Sequence, residues 1–340
     1  MAEPLKLGLI GAGTIAQSYL KALEHDFPAA RLVAVADSRA EAAEKIAAET
    51  GATAFPSAAE LTLSGNCDAV LLCTPPATHA VIACGLLERG MPVLCEKPLS
   101  IDLVSARRMA ESAQRGRALL MMASKFRYVE DVIRLKGILA SGTLGDIILV
   151  ENVFTARVDM RRRWNSRPET SGGGVLIDNG THAVDIARYL LGPLAEVLAV
   201  EGRRVQTPAV EDTAELFLRS IDGIWARIDL SWTIDKELDW FLRVHGSEGV
   251  AQVGWKDSRY RRTGDVAWTR FGGGYDKVAA FRSKLANFCG AVRGAEPPVI
   301  SVAEAVASVE AIQAAYRSIL SRRWEPVADI SSGPRLRAAE

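Results

Sequence analysis

Two ionisable residues stand four positions apart, directly after a run of three glycines. Asp178 and His182 follow Gly172–Gly174 and open an apolar segment with helical periodicity. Side chains at i and i+4 share one helix face, so the carboxylate could orient the imidazole and raise its basicity. An imidazole whose pKa is about 6.5 suits proton acceptance near neutral pH. The alternative is an aspartate at a helix N-terminus beside a satisfied core histidine.

A third candidate, Lys97, follows a short apolar run and precedes Pro98. Because proline disfavours the helical conformation of the residue before it, the ammonium is presented from an extended strand exit. A lone lysine is usually a solvated surface charge. This one, however, comes at the carboxyl end of a predicted parallel strand, where open α/β folds bind ligands. Its ammonium could therefore stabilise negative charge on a substrate oxygen.

A glycine-rich segment near the N-terminus predicts a dinucleotide site. The stretch Gly11-Ala12-Gly13-Thr14-Ile15-Ala16 follows a predicted strand and opens a predicted helix. The glycines would let the backbone approach a pyrophosphate, whose charge is favoured by amides at the helix N-terminus. Gly11, Gly13, Thr14 and Ile15 are the predicted contacts. The alternative is an ordinary glycine turn between a strand and a helix.

Asp37 ends the second predicted strand at about the expected distance from that turn. There it would accept hydrogen bonds from an adenosine ribose. Ser38 and Glu41 also match a capping box, so Asp37 could instead shape the entry of the next helix. Arg39 could pair with a 2′-phosphate, and the sequence therefore favours NAD without excluding NADP. Asp37, Ser38 and Arg39 are all predicted cofactor contacts.

The other predicted cofactor contacts follow two further strands. Cys73–His79 and Glu96–Pro98 each come where a predicted strand ends. Carboxyl ends of parallel strands meet at one edge of a sheet, which is the ligand edge of such folds. The residues predicted to contact the dinucleotide there are Thr74, Pro75, Pro76, His79, Glu96 and Lys97.

The elements that must position these residues alternate along the first 120 or so residues. Short β-rich runs alternate with Ala-rich helical patterns, which is typical of a parallel sheet with crossover helices. The predicted strands are Lys6–Ile10, Arg31–Ala36, Ala69–Cys73, Pro92–Cys95 and Ala118–Ala123. The predicted helices are Ile15–Glu24, Arg39–Thr50, Ala77–Glu88 and Val104–Arg115.

Longer strands separated by turn residues then predict a mostly antiparallel sheet with helices over one face. Its predicted strands are Ile147–Val158, Glu196–Arg203, Thr213–Arg219, Trp225–Thr233 and Trp240–His245. Its predicted helices are Tyr128–Ser141, Asp178–Leu191, Tyr275–Arg293 and Val302–Arg322. The sequence thus predicts an α/β protein. A doubly wound domain spans residues 1–124, an α+β domain spans 125–330, and a loose tail spans 331–340.

Composition excludes several classes of protein. The 340 residues carry zero net charge, with 49% hydrophobic and 24% charged residues, which is typical of an ordinary two-domain globular chain. No basic footprint points to nucleic acid or an anionic membrane, and no apolar run is long enough to span a bilayer. No secretory signal is visible, and the five cysteines lack C-x-x-C spacing. We therefore expect a cytoplasmic protein without metal.

Together these motifs resemble the Gfo/Idh/MocA family, named after glucose-fructose oxidoreductase, inositol dehydrogenase and rhizopine catabolism proteins. The resemblance rests on four segments in order: Gly8–Ala16, Cys73–His79, Glu96–Ser100 and Gly172–Asp185. It implies a Rossmann domain and a C-terminal α/β domain with catalysis where they meet. Lys97, Asp178 and His182 would be the catalytic group and would also contact the substrate. Arg127 would lie near cofactor and substrate, although Ser124 stands where the family usually has Asn or Gly.

The resemblance implies hydride transfer between nicotinamide and a secondary hydroxyl or ketone of a sugar, cyclitol or sugar derivative. His182 would take the hydroxyl proton, and Asp178 would orient His182 and bind a neighbouring hydroxyl. Two alternatives stay open: an NAD-dependent glycosidase that oxidises its sugar transiently, and a non-enzymatic dinucleotide sensor. Sensors of this fold tend to lose the lysine, aspartate or histidine.

The resemblance also implies homodimers or homotetramers formed through the open sheet face. Aromatic side chains of the predicted strands could supply apolar surface there, namely Trp225, Trp232, Trp240 and Phe241. The alternative, nearly as well supported, is that they belong to the core of their own domain.

Four arginines stand within seven residues between Met160 and Arg167. Arginine suits a phosphate or carboxylate, and an indole can stack on a sugar or a base. Arg163, Trp164, Asn165 and Arg167 are therefore predicted to bind a substrate with an anionic group, such as a sugar phosphate or nucleotide sugar. The alternative is an exposed or subunit-contacting loop.

Overall fold

The computed structural model describes residues 3–24, 27–161, 163–206 and 209–327. The predicted tail at 331–340 and Arg162 of the arginine segment lie outside the described residues. Within these ranges the chain forms one sheet of six strands and a second sheet of nine. The α/β prediction, with a doubly wound first sheet and a mostly antiparallel second sheet, is confirmed.

The first sheet is parallel and has the strand order β3-β2-β1-β4-β5-β6. Its strands are β1 (Leu5–Ile10), β2 (Ala30–Ala36), β3 (Thr53–Phe55), β4 (Ala69–Leu72), β5 (Val93–Glu96) and β6 (Leu120–Ala123). The order reverses between β1 and β4, and ligands of such sheets bind at the carboxyl ends beside that reversal. The strands β4, β5 and the edge strand β6 are buried along their whole length, because helices cover both faces.

Five helices accompany this sheet: α1 (Thr14–Leu23), α2 (Ala40–Thr50), α3 (Ala58–Leu63), α4 (Pro76–Leu87) and α5 (Leu103–Gly116). The predicted elements of this half are present, and their ends differ from the observed ones by at most two residues. The sequence patterns missed β3 and α3. These elements have only three and six residues, too few to show a clear period.

The second sheet has the order β14-β13-β12-β11-β7-β10-β9-β8-β15. Its strands are β7 (Ile147–Thr155), β8 (Leu194–Glu201), β9 (Thr213–Ser220), β10 (Trp225–Ser231), β11 (Trp240–Gly246), β12 (Gly249–Gly254), β13 (Ser258–Arg262), β14 (Thr269–Gly272) and β15 (Glu325–Pro326). β7 and β10 pair in parallel, and the other described neighbours pair antiparallel. The last four strands were missed because β12 begins and ends with glycine, β13 is mostly charged, and β14 and β15 are short.

The helices of the second half are α6 (Glu130–Ala140), α7 (Pro168–Ser171), α8 (Val175–Leu191), α9 (Lys277–Val292) and α10 (Val302–Ser321). α8 and α10 pack on one face of the second sheet. Inward residues such as Leu216, Ile228 and Val244 are fully buried there. The other face carries polar side chains such as Glu215 and Arg227. This alternation of polar and apolar positions fixes which sheet face α8 contacts.

The aromatic residues proposed for a subunit interface divide between core and surface. Trp232, Trp240 and Phe241 are 3%, 7% and 0% exposed, so the alternative that they lie within their own domain is correct for these three. Trp225 is partly exposed and packs edge-on against Trp324, with ring centroids 5.5 Å apart. Homo-oligomer formation stays a prediction. No described helix is long and apolar enough to cross a membrane.

Candidate active site

The glycine turn between β1 and α1 leaves a backbone cradle. Gly11 has φ +98°, and a Cβ atom there would meet the Cys73 carbonyl carbon at 2.7 Å, so a side chain is excluded. A Cβ at Gly13 would have no atom within 4 Å, so the space above it is open. α1 starts at Thr14 without a side-chain cap. Its first N–H groups and this open space fit a dinucleotide pyrophosphate.

Asp37 ties this turn to the end of β2. Its carboxylate accepts the N–H of Ala12 at 2.7 Å and the N–H of Arg39 at 2.9 Å. The predicted capping box of Ser38 and Glu41 is wrong, because α2 starts after Arg39 without a side-chain cap. The Asp37 carboxylate makes the turn into α2 instead. Arg39 folds its Nε to 3.5 Å from Asp37 while its side chain stays 70% exposed.

Lys97 and Asp178 join the two halves of the molecule at the carboxyl edge of the first sheet. Lys97 directly follows β5, and Asp178 lies in the first turn of α8. The Lys97 ammonium pairs with Asp178 Oδ1 and also donates to the Asp178 carbonyl oxygen at 3.0 Å. Both side chains keep some exposure, 16% and 24% respectively. The pair therefore faces the opening between the domains.

His182 lies one turn further along α8, and its ring meets Phe126 edge-on at 5.1 Å. Among the described residues its Nδ1 finds no hydrogen-bond partner. Burial, together with repulsion from Lys97, Lys125 and Lys284, lowers the pKa of His182 well below 6.5. The expectation that Asp178 orients His182 and raises its basicity is therefore wrong, because Lys97 takes the carboxylate. The imidazole is neutral at neutral pH and ready to accept a proton.

The last of the three glycines before α8, Gly174, packs closely against a residue that the sequence patterns missed. A Cβ at Gly174 would lie 2.0 Å from the Glu211 carbonyl oxygen. The buried Glu211 carboxylate accepts the N–H groups of Gly174 at 2.9 Å and of Leu176 at 3.1 Å, capping the start of α8. Tyr316 also donates its hydroxyl to Glu211 at 2.8 Å. This cap fixes the helix turn that carries Asp178.

Glu96 points into the protein beneath Lys97. Its carboxylate accepts the Tyr19 hydroxyl at 2.6 Å and the backbone N–H of Lys97 at 3.2 Å, and it lies 3.4 Å from Lys284 Nζ. Lys284 of α9 is fully buried, and burial lowers its pKa. The prediction that the Glu96 side chain contacts the cofactor is therefore wrong, because its carboxylate is occupied by Tyr19, Lys97 and Lys284 inside the protein. The carboxylate holds the strand end that presents Lys97.

His79 is also internal. It is fully buried, with Nε2 2.8 Å from the Thr74 carbonyl oxygen and Nδ1 3.0 Å from the Pro98 carbonyl oxygen. The ring thus joins the two turns that follow β4 and β5. The prediction that His79 contacts the cofactor is therefore wrong, and the residue instead positions these two turns. Thr74 and Pro75 stay partly exposed at the ligand edge, whereas Pro76 is buried as the first residue of α4.

Arg127 does not reach the opening either. Its side chain is 1% exposed and forms a forked pair with Asp185 of α8, at 2.7 and 3.0 Å. Its remaining terminal nitrogen lies 2.7 Å from Glu304 at the start of α10. The prediction that Arg127 contacts cofactor and substrate is therefore wrong, because the guanidinium is held by two carboxylates, the buried Asp185 of α8 and the partly exposed Glu304 of α10.

The half-buried Lys125 and a group of aromatic rings lie beside Lys97, Asp178 and His182. The sequence patterns did not assign them to the site. The rings come from the ends of neighbouring elements: Phe126, Phe154, Phe241, Trp255 and Tyr275. Trp255 remains 40% exposed. Lys125 places its ammonium 5.0 Å from the Phe126 centroid and 5.2 Å from the Tyr275 centroid. Aromatic residues at several strand ends were the available signal, but their convergence depends on the fold.

Family models match both halves of the chain. One, described as the oxidoreductase family with an NAD-binding Rossmann fold, matches residues 5–124. A second, the Gfo/Idh/MocA C-terminal domain, matches residues 132–252.

The chain belongs to the Gfo/Idh/MocA family.

Named relatives fit this assignment. The chain is 27% identical to the rhizopine catabolism protein MocA of Rhizobium meliloti, over 93% of this chain and 95% of that protein. It is 32% identical to inositol 2-dehydrogenase 4 of Saccharopolyspora erythraea, over 60% and 59% respectively. The structure is similar to GenD2 from gentamicin A biosynthesis in complex with NAD, with TM-score 0.84, 26% identity and coverage of 96% and 97%. Levoglucosan dehydrogenase in complex with NADH and L-sorbose shares the fold, with TM-score 0.89, 20% identity and coverage of 97% and 100%.

Membership in the Gfo/Idh/MocA family sets the class of chemistry. The protein is a member of a family of NAD(P)-dependent oxidoreductases that act on CH–OH groups, and its first half matches the NAD-binding Rossmann fold of that family. Among the described residues, no three His, Cys, Asp or Glu side chains are grouped to hold a metal ion.

The arginine segment of this family member lies between the two domains. A short turn at Trp164–Ser166 leads into α7, which packs against α4 of the Rossmann domain. Arg163 and Arg167 are exposed, Trp164 is 43% exposed, and Asn165 is half-buried. Their contact with substrate stays a prediction.

Proposed function

We propose that this protein transfers a hydride between the nicotinamide of NAD(H) and a secondary hydroxyl or ketone of a sugar, a cyclitol or a sugar derivative. One observation carries the proposal: Lys97, Asp178 and His182 converge at the ligand edge of the Rossmann sheet. The inositol 2-dehydrogenases among the relatives support the substrate class.

The residues that would hold the cofactor are those of the turn and the sheet edge, namely Gly11, Gly13, Thr14, Ile15, Asp37, Thr74 and Pro75. The bound nicotinamide ring supplies the hydride acceptor or donor. Arg39 is exposed and free to turn toward a 2′-phosphate, so use of NADP is tested beside NAD.

Lys97 and Asp178 would bind the reacting part of the substrate. An ammonium has three N–H bonds, and two of them are directed to Asp178. The third is available to hold the substrate oxygen and stabilise the negative charge that develops on it. Asp178 Oδ2 is the acceptor for a neighbouring substrate hydroxyl.

His182 would take the hydroxyl proton. Since its pKa lies well below 6.5, the ring is neutral over the whole neutral range and does not first have to lose a proton. The nearby Lys97 and Lys125 disfavour the imidazolium, so the proton is returned easily when the reaction runs as a reduction.

The test is NADH absorbance during incubation with cyclitols, aldoses, sugar phosphates and nucleotide sugars, with NAD and NADP in parallel. We expect net NADH with at least one secondary alcohol. Release of an aglycone without net NADH would replace the proposal by an NAD-dependent glycosidase. Dinucleotide binding with no turnover of any alcohol would favour a sensor.

For the arginine segment we propose contact with an anionic group of the substrate derivative. The segment leads directly into α7, which packs against α4 of the Rossmann half, and this neighbourhood supports the proposal. Replacing Arg163 or Arg167 by Ala should raise KM much more than it lowers kcat, because binding common to ground and transition state is lost. Equal kcat/KM for a neutral sugar and its phosphorylated counterpart would contradict it.

A further inference from the structure

Lys125 emerges beside the catalytic lysine. In the parallel pairing of β5 with β6, Glu96 lies opposite Ala123. Lys97 directly follows Glu96, and Lys125 follows Ala123 by two residues. The two ammonium groups therefore come from neighbouring strand ends at one sheet edge.

The Lys125 ammonium and the His182 ring, the proposed base, both contact the aromatic ring of Phe126. The ammonium lies 5.0 Å from the centroid of Phe126, whose other contacts include the His182 ring at a centroid distance of 5.1 Å. Tyr275 stacks on Phe126 at 5.4 Å and forms a second wall for the ammonium. Lys125 is half-buried, so its ammonium borders the same opening as His182.

This ammonium lacks a carboxylate partner among the residues that the structure describes. The two carboxylates nearest the centre are engaged elsewhere: Asp178 pairs with Lys97, and Glu96 pairs with Lys284. The other charges around Lys125 include the cations Lys97, Lys277 and Lys284. The aromatic rings offset only part of the cost of a half-buried charge. Because Lys277 is exposed, the buried and partly buried groups of the site are the three ammonium groups of Lys97, Lys125 and Lys284 against the two carboxylates of Asp178 and Glu96, which leaves one negative charge missing.

The cofactor does not supply that charge. Its pyrophosphate belongs at the turn after β1, and β6 lies three strands away in the sheet order. With strands spaced about 4.8 Å apart, the separation is roughly 14 Å. A 2′-phosphate at Asp37, after β2, would be one strand farther. When Lys125 is protonated, an anionic group of the substrate can therefore supply the counter-charge that the cofactor phosphates do not.

We propose that Lys125 binds a carboxylate of the substrate, which makes the substrate a polyhydroxylated acid, such as a uronic or aldonic acid, and not a neutral cyclitol. The proposal rests on the proposed function, because it names the substrate class of the same site. A single ammonium between two rings offers a point charge and suits one carboxylate. A phosphate monoester carries about 1.5 to 2 negative charges near pH 7 and so exceeds the single charge that this ammonium can neutralise.

The proposal has a proton signature. Burial and repulsion from Lys97, Lys277 and Lys284 lower the pKa of Lys125 to about 7. At about pH 8 the free side chain is mostly neutral, and a bound carboxylate restores its charge. Binding should therefore take up close to one proton at about pH 8 and much less at about pH 6.

The experiment is calorimetric titration of the NADH-loaded protein with D-glucuronate, D-gluconate, D-glucose and D-glucose 6-phosphate, in buffers of different ionisation enthalpy. We expect a uronic or aldonic acid to bind at least about tenfold more tightly than glucose, as one charged hydrogen bond allows. Lys125→Met should remove both the preference and the proton uptake, and Lys125→Arg should keep most of the preference. The matched control is Lys136→Met, because Lys136 also lies on an aromatic ring, 3.8 Å from the Tyr189 centroid, but on the exposed face of α6.

Equal affinity for glucose and both acids, no binding of either acid at millimolar concentration, or a preference that survives Lys125→Met would each overturn the proposal. A Lys125-dependent preference for the phosphate would overturn the choice of carboxylate. NADH formation, measured separately, distinguishes the two proposals. Lys125-dependent acid binding without turnover contradicts the proposed function alone. Oxidation of a neutral cyclitol that Lys125→Met leaves unchanged contradicts this inference alone.

Discussion

Two ionic clusters hold buried cations in the interior of the molecule, and they have opposite relations to Lys97 of the proposed catalytic group. The Glu96 cluster consists of Glu96, Lys284 and Tyr19, and it contacts the backbone N–H of Lys97. The Arg127 cluster consists of Arg127, Asp185 and Glu304, and it joins α8 to α10. Both hold cations that are at most 1% exposed. The first leads into the catalytic centre, whereas the second leads away from it.

The comparison shows that the role of a charged side chain near a site depends on the groups it contacts and not on its residue type. Arg127 makes a forked pair at 2.7 to 3.0 Å with a fully buried carboxylate and therefore serves the fold. Lys284 lies 3.4 Å from a carboxylate that also receives two other donors, one of them from Lys97. A change at Lys284 therefore reaches Lys97, the proposed catalytic lysine, through one shared carboxylate.

The largest expected effect is a loss of turnover when Lys97, whose backbone N–H contacts the Glu96 cluster, is replaced. Lys97→Met should lower kcat by about 10²- to 10⁴-fold, because the donor that stabilises the developing oxyanion is lost. NADH binding should persist, since the cradle at Gly11 and Asp37 is untouched. Steady-state kinetics and NADH fluorescence measure the two effects, with Lys136→Met as the control on an exposed helix. A variant with wild-type turnover would remove Lys97 from the mechanism.

The second effect concerns stability and the Arg127 cluster. Arg127→Met should lower the free energy of unfolding by about 3 to 5 kcal/mol, because Asp185 remains buried without its partner. Urea denaturation measures this. The double variant Arg127→Met, Asp185→Leu should recover much of the loss, since no buried charge is then left unpaired. Normal stability of the single variant together with a large rise in substrate KM would restore Arg127 as a ligand.

These two clusters also mark how far the sequence could predict the site. The glycine turn, Asp37 and the pair Asp178 and His182 are recognisable because short spacings on a strand, turn or helix fix their geometry. Glu96 and Lys284 stand 188 residues apart, and no local pattern joins them. The Asp178 carboxylate was wrongly assigned to His182 for the same reason, because the competing Lys97 comes from another domain. Capping by Glu211 and the aromatic walls around Lys125 likewise depend on tertiary packing.

The third expected effect is a loss of turnover when Lys284 of the Glu96 cluster is replaced. Lys284→Met should lower kcat by about ten- to a hundredfold with a smaller change in KM, because a small displacement of Lys97 misplaces the oxygen-binding donor. Lys284→Arg should restore part of the rate by keeping the charge near Glu96. Circular dichroism and a urea titration at the assay temperature show that the protein remains folded. A loss of stability with unchanged kcat would place Lys284 with Arg127 as a purely structural residue.

The smallest expected effect is a shift in the pH dependence of kcat, which should differ between variants of the two clusters. Protonation of His182 removes the base, so kcat should fall on an acid limb that lies below pH 6.5, in line with the lowered pKa. Repulsion from Lys284 contributes to that lowering, whereas Arg127 is not among its causes. Removing a nearby positive charge favours the imidazolium, so Lys284→Met should raise the pKa of His182 and move the limb to higher pH, by less than about one unit. Arg127→Met should leave the limb in place. The measurement is the pH profile of kcat at saturating substrate and cofactor. Equal shifts in both variants would show that the limb reports general loosening of the fold and not the field of Lys284 at His182.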